Sequence, residues 1–537
     1  MANYENFKNT DNITLNIKEA LACCKADGEN TLVFPKGTYN ISSALAEQRY
    51  VTISNHDNGL RGIIFLLEGF KDFTLDFSGS ELIIDDTAFP FAVIDSENIT
   101  IKNVSVRTLN PLTAEGVVTE CSEKGFTFRQ TGGSPIILHG TCLKTATRNS
   151  KFVYLNRLNA WDKETGYMTP EFPDLGLAGV PFGKITDEEG NVFFNTVSPY
   201  YYNNGLKTGD KISLDPGSRE SCGIFIDHSK NIKIENFTRH NGPGMGVIAQ
   251  VSENIEISGM KLVPYGNGVI TLGADATHFV HCYGLIHIHD SHFEAQLDDA
   301  LNVHGIYLRI IDKTEKSILL KYMHNQAQGI DFIKEGDTIE TCDPESLIPK
   351  KRYKVSSVEK INYEYISIEI EGGTEDIPVG DDVTEVSRVP EVIFENCTLK
   401  NNRARGMLLA SAGKTVIRNN LFDNPGTPIK FESDGQYWFE AGGVKDVLIT
   451  GNTFTRCKYV KNSWGSKGLI EVMKRPKFEE GKYYHGKIEV SDNTFIDCHC
   501  PVAIINNTEE FIYKGNRFEN CSDTENVTEY VGKYITE

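Results

Sequence analysis

The 537-residue sequence lacks an apolar run long enough to cross a lipid bilayer, because its longest runs, such as Ile63–Leu67, fall far short of the roughly 20 residues required. Its first residues, MANYENFKNTDN, also lack the basic and then apolar pattern of a signal peptide. We therefore expect no membrane partner and, for the sequence as written, a cytoplasmic protein. A chain from which an export signal had been trimmed would read identically, and that protein would be exported.

Basic residues are also scarce. The sequence has 54 Lys and Arg residues against 74 Asp and Glu residues, which gives a formal net charge of −20. Such a charge repels phosphate backbones and polyanionic polysaccharides at long range. We therefore expect no nucleic-acid partner, and a neutral substrate in preference to pectin. The sequence also lacks linkers that are rich in Pro, Ser and Gly or that carry charges of a single sign. This argues against separate domains joined by linkers.

The twelve cysteines form no CxxC pair, and only Cys498 and Cys500, on either side of His499, come close to that spacing. In a chain of this size they are better explained as small apolar side chains that stay reduced than as a disulfide framework. We assign them no function.

What the sequence does contain is a repeat of two or three alternating apolar residues, a turn residue and another apolar residue. Its copies are Asn98–Val106, Asn231–Phe237, Asn254–Leu262, Leu285–Phe293, Val392–Leu399, Thr415–Phe422, Val447–Phe454, Lys487–Phe495 and Phe511–Phe518. Corresponding positions lie 23 residues apart at Ile232 and Ile255, and 24 apart at Val392 and Val416. This period is typical of one coil of a right-handed parallel β-helix, so we predict an all-β fold of that kind.

Asparagines occur at or next to the turn of most copies, where a tight and often left-handed backbone is needed. They are Asn103, Asn236, Asn396, Asn420, Asn452, Asn493 and Asn516. A structural ladder of side chains explains them better than catalysis does. The segment Gly28–Ile41 is interpreted as the first coil, with a capping helix over Leu21–Ala26 that covers the open edge of the sheet.

The repeat breaks at residues 108–220 and 306–388, and each gap is too long for a loop. The two gaps contain similar segments, Leu206–Ile212 (LKTGDKI) and Ile333–Ile339 (IKEGDTI), each with a Gly-Asp turn between strands. We predict two small β-barrels inserted into one β-helix. The remaining parts are residues 1–107 with the cap and first coils, 221–305 with the candidate catalytic coils, and 389–537 with the C-terminal coils.

The most informative motif is QLDDALNVHG, which contains Asp298 and Asp299. Asp275 precedes Asp298 by 23 residues, one coil, so the two should stack about 4.8 Å apart, with Asp275 and Asp299 on a diagonal of roughly 6 to 7 Å. Inverting glycoside hydrolysis needs an acid and a base roughly 6.5 to 9.5 Å apart, and crowding raises the pKa of one carboxyl. We predict that the three aspartates are catalytic, without deciding which is acid and which is base. The alternative is three acids that merely face solvent at coil corners.

Metal binding is a competing interpretation of the same coils, because they are rich in histidine. The histidines are His278, His281, His287, His289, His292 and His304. His287 and His289 share a strand face, as zinc ligands do, but no HExxH or Cys/His spacing accompanies them. We therefore predict no metal and no cofactor, and we place His304, which follows the two acids closely, among the residues that bind substrate.

Two later segments carry residue types that bind sugars. Arg403 and Arg405 lie in NNRARGMLL, and Lys430–Val444 contains a tryptophan between carboxylates. An exposed indole packs on the C–H face of a pyranose, and Arg or carboxylate groups bond its hydroxyls. We predict substrate binding by Arg405, Glu432, Asp434, Trp438 and Glu440. The alternative is a surface loop whose Trp438 packs back on the coil.

With these motifs the sequence resembles glycoside hydrolase family 110, the inverting, exo-acting α-1,3-galactosidases of bacteria that act on blood group B or related glycans. The resemblance covers most of the chain and is most specific at Asp298–Gly305 (DDALNVHG), Asn402–Gly406 (NRARG) and Tyr437–Gly443 (YWFEAGG). It implies inversion without a cofactor, a substrate with terminal α-galactose, catalytic acids among the three aspartates, and a carboxylate from the second insertion, matched to Asp331. It leaves open the oligomeric state and the choice between a branched blood group B and a linear α-1,3-galactoside.

Three other interpretations use the same scaffold. The polygalacturonase family also uses three aspartates, but here Gly273–Asp275 reads GlyAlaAsp where that family has AsnThrAsp, and no ArgIleLys anion clamp is evident. A calcium-dependent polysaccharide lyase would use the acids to hold Ca²⁺ and a Lys or Arg as base. A non-catalytic adhesin of the tail-spike kind would bind glycans without turnover.

Overall fold

The computed structural model describes residues 1–149, 151–171, 174–461 and 465–537. Helices are few. They are α1 (Ile13–Asp27), α2 (Tyr200–Asn203) and three short 3₁₀ turns at Tyr4–Phe7, Ser43–Leu45 and Asn325–Ala327. Over the described part of the chain, no helix is long and apolar enough to cross a bilayer.

Helix α1 covers the first coil. The Asn12 side chain accepts the N–H of Leu15 (3.2 Å) at the start of the helix, and Gly28 ends it with a left-handed φ of 68°. The helix is longer than the predicted segment Leu21–Ala26 because the Asn12 cap starts it two turns earlier. Its buried face closes the open edge of the strand stack.

The coils are built from three groups of strands. Before the first insertion lie β1 (Ala2–Asn3), β2 (Thr31–Val33), β3 (Thr38–Ile41), β4 (Glu47–Val51), β5 (Gly59–Glu68), β6 (Lys71–Ile84), β7 (Phe89–Ile94) and β8 (Glu97–Thr108). The first insertion contains β9 (Ala114–Ser122), β10 (Gly125–Gly133), β11 (Ile137–His139), β12 (Cys142–Ala146), β13 (Phe152–Tyr154), β14 (Arg157–Trp161), β15 (Leu175–Gly176), β16 (Gly183–Thr186), β17 (Val192–Thr196) and β18 (Lys211–Asp215).

The middle coils are β19 (Ile224–Asp227), β20 (Lys230–Arg239), β21 (Val247–Gln250), β22 (Glu253–Ser258), β23 (Lys261–Leu262), β24 (Thr277–Val280), β25 (Tyr283–His289), β26 (His292–Glu294) and β27 (Leu301–Ile306). The second insertion contains β28 (Leu308–Lys313), β29 (Ser317–Tyr322), β30 (Thr338–Cys342), β31 (Pro349–Lys360), β32 (Tyr365–Ile370) and β33 (Asp382–Glu385).

The C-terminal coils are β34 (Pro390–Glu395), β35 (Thr398–Lys400), β36 (Met407–Leu409), β37 (Lys414–Arg418), β38 (Leu421–Asp423), β39 (Ile429–Phe431), β40 (Glu440–Ala441), β41 (Asp446–Thr450), β42 (Thr453–Thr455), β43 (Ile470–Val472), β44 (His485–Ser491), β45 (Thr494–Ile496), β46 (Ala503–Lys514), β47 (Arg517–Glu519) and β48 (Asn526–Thr536).

Strands of successive coils pair in parallel and in register, so equivalent side chains stack along the axis. Ile232 lies opposite Ile255 in one stack. In another, the rings of Phe422, Phe454 and Phe495 stack with centroid distances of 4.7 and 4.9 Å. These inward side chains form one continuous apolar core. The predicted all-β, right-handed parallel β-helix is therefore confirmed.

The first insertion differs from the barrel that we predict. Its strands form a seven-stranded sheet in the order β15-β14-β18-β9-β10-β17-β16, beside a three-stranded sheet β11-β12-β13, around an apolar core of its own. Within the described residues no ladder joins the edge strands β15 and β16, so the sheet stays open. Alternating apolar residues predict strands, but they do not determine whether the edges of a sheet meet.

The second insertion is the closed barrel that the sequence predicts. Its strands follow the order β28-β29-β32-β31-β30-β33, and β33 returns to pair with β28. A separate apolar core fills it. The second insertion leaves the β-helix directly after β27, and the first insertion ends before β19, two strands before β24 in the same stack. The coils of β24, β27 and β36 position the candidate site.

Candidate active site

The candidate site is a cleft of about 490 Å³ over the outward face of the parallel stack that contains β24, β27 and β36. On that face His278, Asn302 and Leu408 lie opposite one another on β24, β27 and β36. The cleft is lined by Asn55, Arg219, Asp275, His278, Asp298, Asp299, Asn302, Arg405, Leu408, Lys430, Glu432, Asp434, Gln436, Tyr437, Trp438, Glu440 and Met473. Eight of the ten predicted site residues are therefore brought together in one place.

The three aspartates meet at the floor of the cleft, but in a different register from the one we predict. Thr277 lies opposite Leu301, an offset of 24 residues (301 − 277), which two residues earlier places Asp275 opposite Asp299 and not Asp298. The N–H of Asp299 donates to Oδ1 of Asp275 at 3.2 Å. The predicted offset of 23 comes from Ile232 and Ile255 in the first stack, which contains β20, β22, β25 and β34. The coil from β24 to β27 is one residue longer.

The carboxylates are also closer than the predicted diagonal. One oxygen from each of the three aspartates lies within 4.8 Å of the others. Because Asp275 stacks directly under Asp299, and Asp298 turns toward the same space, no pair is separated by the predicted 6 to 7 Å at its nearest oxygens.

Arginines from two later coil positions and from the end of the first insertion surround this acidic floor. Arg405 donates from Nη2 to Oδ2 of Asp299 at 2.7 Å and from its backbone N–H to Oδ1 at 3.1 Å. Asp298 lies 3.6 Å from Arg219 and 3.7 Å from Arg403. Arg403 also bonds the backbone carbonyl of Leu297. Two of the three carboxylates, Asp298 and Asp299, are thus paired with three guanidinium groups.

The electrostatics separate the three acids. Burial, with the charges of Asp298 and Asp299, raises the pKa of Asp275 well above its usual range. Burial also raises the pKa of Asp299 to about 7 despite its bond to Arg405. Burial acts on Asp298 in the same direction, but Arg403, Arg405 and Arg219 outweigh it and lower the pKa of Asp298. At neutral pH the floor therefore holds ionised and protonated carboxyls side by side, as acid and base catalysis requires.

The same oxygens are near enough to share a cation. Asp298 and Asp299, however, already have guanidinium partners that balance their charge, and Asp275 is hydrogen-bonded to a histidine. The acids therefore have partners without a metal, and we do not assign them as metal ligands.

The outer wall of the cleft comes from the segment between β39 and β40. The Asp434 side chain accepts the backbone N–H groups of Gln436 (2.8 Å), Tyr437 (2.7 Å) and Trp438, and so shapes the loop. Trp438 stays 38% exposed and packs on His324 of the second insertion, with ring centroids 4.6 Å apart. Its accessible face is at the mouth of the cleft, where an indole can contact a sugar ring.

Glu432 and Glu440 flank the acids at greater distance from the floor. Glu432 forms an ion pair with Lys430 at 2.7 Å. Strand β40 pairs with the end of β27, which brings Glu440 opposite Ile306, and Oε1 of Glu440 accepts from Nδ2 of Asn55 at 3.1 Å. Both carboxylates can accept hydroxyl groups of a sugar in the cleft.

Two predicted site residues lie outside the set that lines the cleft. His304 is buried behind the floor, where it contacts His278 and Glu440. Asp331 lies on the second insertion, where its side chain is 57% exposed and pairs with Lys360 at 3.0 Å.

Three other coil histidines, His287, His289 and His292, have carboxylate partners. His287 bonds Glu395 at 2.9 Å, and His289 bonds Asp290 at 2.7 Å. Both are at the surface of the first stack, away from the acids. His287 and His289 alternate because both point outward from one strand, where they pair with Glu395 and Asp290.

Two polar residues that line the cleft, Arg219 and Asn55, lie outside every motif that the sequence singles out. Arg219 follows the first insertion, and Asn55 lies in a loop of the first coils. Arg219 bonds the backbone carbonyl of Asn55 at 2.7 Å and lies 5.9 Å from the Trp438 ring centroid. The only local signal is a basic residue at the point where an inserted domain returns to the coil. Nothing in the sequence indicates that Asn55 meets Glu440, 385 positions later.

Two family profiles match the chain. Residues 317–383 match the GLAA-B beta-barrel domain II, and residues 383–535 match the right-handed beta helix region. The solved structure of a family 28 exopolygalacturonase from Yersinia enterocolitica aligns with a TM-score of 0.40 and 11% sequence identity, over 100% of this chain and 77% of that one.

Curated relatives align over most of both chains. Alpha-1,3-galactosidase A of Shewanella woodyi is 28% identical over 534 residues, which cover 94% of this chain and 83% of that protein. Alpha-1,3-galactosidase B of Bacteroides thetaiotaomicron is 28% identical over 528 residues, with coverages of 93% and 82%. The chain is therefore a homologue, over nearly its whole length, of the bacterial α-1,3-galactosidases A and B, the family that its sequence motifs resemble.

Proposed function

We propose that this protein is an exo-acting glycoside hydrolase that removes terminal α-1,3-linked galactose from oligosaccharides or glycoconjugates, with inversion. The observation that carries the proposal is the cluster of Asp275, Asp298 and Asp299 at the floor of a cleft, in a chain homologous to α-1,3-galactosidases. A cleft with these three acids on its floor can hold the end of a glycan chain.

The chemistry needs one carboxyl to protonate the leaving glycosidic oxygen and one carboxylate to take a proton from the attacking water. The raised pKa values of Asp275 and Asp299 and the lowered pKa of Asp298 supply both forms at neutral pH. Three acids allow one to serve as acid while the other two hold the water between them.

The stereochemical outcome is a separate point. Nearest oxygens within 4.8 Å would also fit the roughly 5 to 5.5 Å of a retaining pair, whereas inverting pairs lie roughly 6.5 to 9.5 Å apart. We retain inversion because the resemblance to glycoside hydrolase family 110 implies it. The configuration of the first-formed product separates the two mechanisms.

A neutral sugar suits the cleft better than a uronate does. The cations that line it already have carboxylate partners: Arg405 pairs with Asp299, Arg219 lies near Asp298, and Lys430 pairs with Glu432. A uronate carboxylate would have to compete with these partners. This argues against the polygalacturonase-like and lyase alternatives and supports a substrate recognised through hydroxyl groups.

The test is proton NMR of the protein acting on galactose-α-1,3-galactose in the presence of EDTA, with the anomeric signals followed from the first minutes. Initial release of β-galactose would support an inverting, metal-independent α-galactosidase. Initial α-galactose would replace inversion by retention. No release from this disaccharide or from a fucosylated B-type trisaccharide, followed by an unsaturated product on adding Ca²⁺ and a polyuronate, would overturn the proposal.

A second experiment assigns the acid among the three aspartates. The Asn variant of each would be assayed on α-galactosyl fluoride, whose leaving group needs no protonation. The variant of the general acid should regain much of its lost rate on this substrate, while variants of base residues should not.

A further inference from the structure

Behind the floor of the cleft, a line of hydrogen-bonding side chains connects Asp275 with Glu440. Oδ2 of Asp275 lies 2.5 Å from Nδ1 of His278, and Nε2 of His278 lies 2.9 Å from Nε2 of His304. Nε2 of His304 lies 3.5 Å from Oε1 of Glu440. Both imidazoles are buried and meet edge to face, with ring planes at 87°. The line joins a candidate catalytic acid to a carboxylate on the opposite wall.

The hydrogen-bond partners restrict where protons sit along this line. Nδ1 of His304 lies 2.6 Å from the carbonyl oxygen of Gly305, which only accepts, so this nitrogen carries a proton. The two facing Nε2 atoms can share one proton and not two. Burial and the neighbouring His304 lower the pKa of His278, which therefore remains neutral with a single N–H.

Two arrangements with the same number of protons satisfy these restrictions. If the shared proton is on Nε2 of His278, its Nδ1 is bare, and the proton toward Asp275 belongs to the carboxyl. If the shared proton is on Nε2 of His304, then His278 carries its proton on Nδ1 and faces an Asp275 carboxylate. In the second arrangement His304 is a cation beside Glu440.

We propose that His278 and His304 are positioning residues that let the buried Asp275 become a carboxylate general base by moving its proton along the line to His304, where Glu440 balances the charge. The inference rests on the proposed glycosidase function. Asp275 is 2% exposed, and its Oδ1 already accepts the N–H of Asp299. An isolated carboxyl in that place would keep its proton at neutral pH and take none from water.

The proton transfers balance during the reaction. The oxygen of the attacking water bonds to the anomeric carbon, and the water proton bonds to Asp275. His304 keeps its proton on Nε2 toward His278 and stays a cation beside Glu440, so the two facing Nε2 atoms still share one proton. The glycosidic bond leaves its electron pair on the leaving oxygen, which takes the proton of the general acid. The proton that Asp275 took from the water then passes through solvent in the cleft to the spent acid, which restores the starting states of both groups.

Other imidazoles near the site do not complete such a line. His281 accepts the backbone N–H of Ile306 at 2.7 Å and packs on Phe332 with ring centroids 3.9 Å apart. His56 contacts the backbone carbonyl of Ser54 at 3.2 Å. Of these buried imidazoles, only His278 and His304 link carboxylates at both ends.

The first test is ¹⁵N NMR of the histidine side chains in the full-length protein, which does not depend on any substrate. In the wild type, both facing Nε2 atoms should have shifts intermediate between protonated and bare nitrogen. In D275N, which cannot give up a proton, Nε2 of His278 should become fully protonated and Nε2 of His304 bare. Identical His304 shifts in D275N and wild type would overturn the proposal, because Asp275 does not touch His304.

The second test compares the kinetics of H278N and H304Q on the α-1,3-galactoside. The Asn side chain can still contact Asp275, and Gln can still contact His278, but neither carries a proton along the line. General base catalysis contributes roughly 10² to 10⁴-fold, so we expect kcat of H278N to fall by about 10²-fold, with KM within about twofold. In a D275N background H278N should cost nothing more, since the line is already broken.

A matched control is H287Q, which removes an imidazole paired to Glu395 at 2.9 Å on the neighbouring strand β25, outside the cleft. Its kcat should equal that of the wild type. A kcat of H278N within twofold of wild type, or a loss that adds fully to that of D275N, would overturn the relay while the hydrolase function stands. A wild type that hydrolyses no α-galactoside would refute the function instead, and the NMR test would then decide the relay alone.

Discussion

Two stacks of polar side chains lie in different coils of the same β-helix, and they behave differently. In the C-terminal coils, Asn420, Asn452, Asn493 and Asn516 form a buried ladder in which each Nδ2 donates to the Oδ1 of the next asparagine at 3.0 to 3.1 Å. In the middle coils, Asp275 stacks under Asp299, and the pKa values of both are raised.

The amide of asparagine and the carboxylate of aspartate differ in their hydrogen-bond donors and acceptors. An amide has donors and an acceptor, so a stack of amides satisfies itself whatever the pH. A carboxylate only accepts, so a stack of carboxylates needs protons or guanidinium groups to be stable, and here Arg405, Arg403 and Arg219 supply the latter. The same coil geometry therefore gives stability in one place and a poised acid–base site in the other.

The largest expected effect comes from making the acid stack resemble the amide ladder. D275N, D298N and D299N should each lower turnover by about 10³-fold, because each removes an acid, a base or a water ligand. The thermal midpoint should stay nearly unchanged, since a catalytic carboxylate seldom adds to stability. Steady-state kinetics and calorimetry check this. D446N, on an exposed coil position, is the control, and full activity in all three variants would show that the site is elsewhere.

The converse substitution puts a carboxylate into the amide ladder. N452D should destabilise the protein by about 3 kcal/mol at pH 7, because Asn452 is fully buried and an ionised Asp leaves a desolvated charge. The pKa of the new carboxyl is raised by burial, so the loss should be small near pH 4 and grow as the pH rises. Urea unfolding at several pH values measures it. The exposed N267D is the control, and a pH-independent loss would contradict this account.

A smaller effect is expected from pH alone in the wild type. Burial raises the pKa of Asp299 to about 7, so this carboxyl loses its proton as the pH rises through 7 and the floor gains a negative charge. We expect kcat/KM to fall by about tenfold per pH unit above that point. Because the charge of Asp298 raises the pKa of Asp299, D298N should move the titration of Asp299 to lower pH, as measured by ¹³C NMR. An unchanged titration would show that the charge of Asp298 does not act on the pKa of Asp299.

The smallest effect should come from the rim, which lies outside both stacks. W438A removes the indole face at the mouth of the cleft and should raise KM by about tenfold with little change in kcat, because the ring contacts the sugar and not the reacting bond. Y200A, an exposed tyrosine of the first insertion, should leave KM unchanged. A KM for W438A equal to that of wild type would remove Trp438 from the binding site.

Much of this site could be predicted from residue types and spacing. The acids in QLDDALNVHG, Arg405 in NNRARGMLL and Trp438 in its loop all line one cleft, as the motifs indicate. The stacking partner of Asp275 was wrong by one residue, because the offset of 23 was read from Ile232 and Ile255, whereas the coil from β24 to β27 has 24 residues. Asp331 is placed on the surface of the second insertion, and its predicted role in binding stays a prediction.

By itself, the sequence determined the β-helix, because a period-two apolar pattern that returns about every 23 residues can bury its side chains only by stacking coils. It also determined which coil carries the acids. The tertiary structure alone decided what the acids contact: Arg219 and Asn55 reach the cleft from distant segments, and His304 meets Glu440 across 136 residues. These contacts depend on how the insertions and loops fold back over the β-helix. The local repeat pattern contains no information about which distant segments meet.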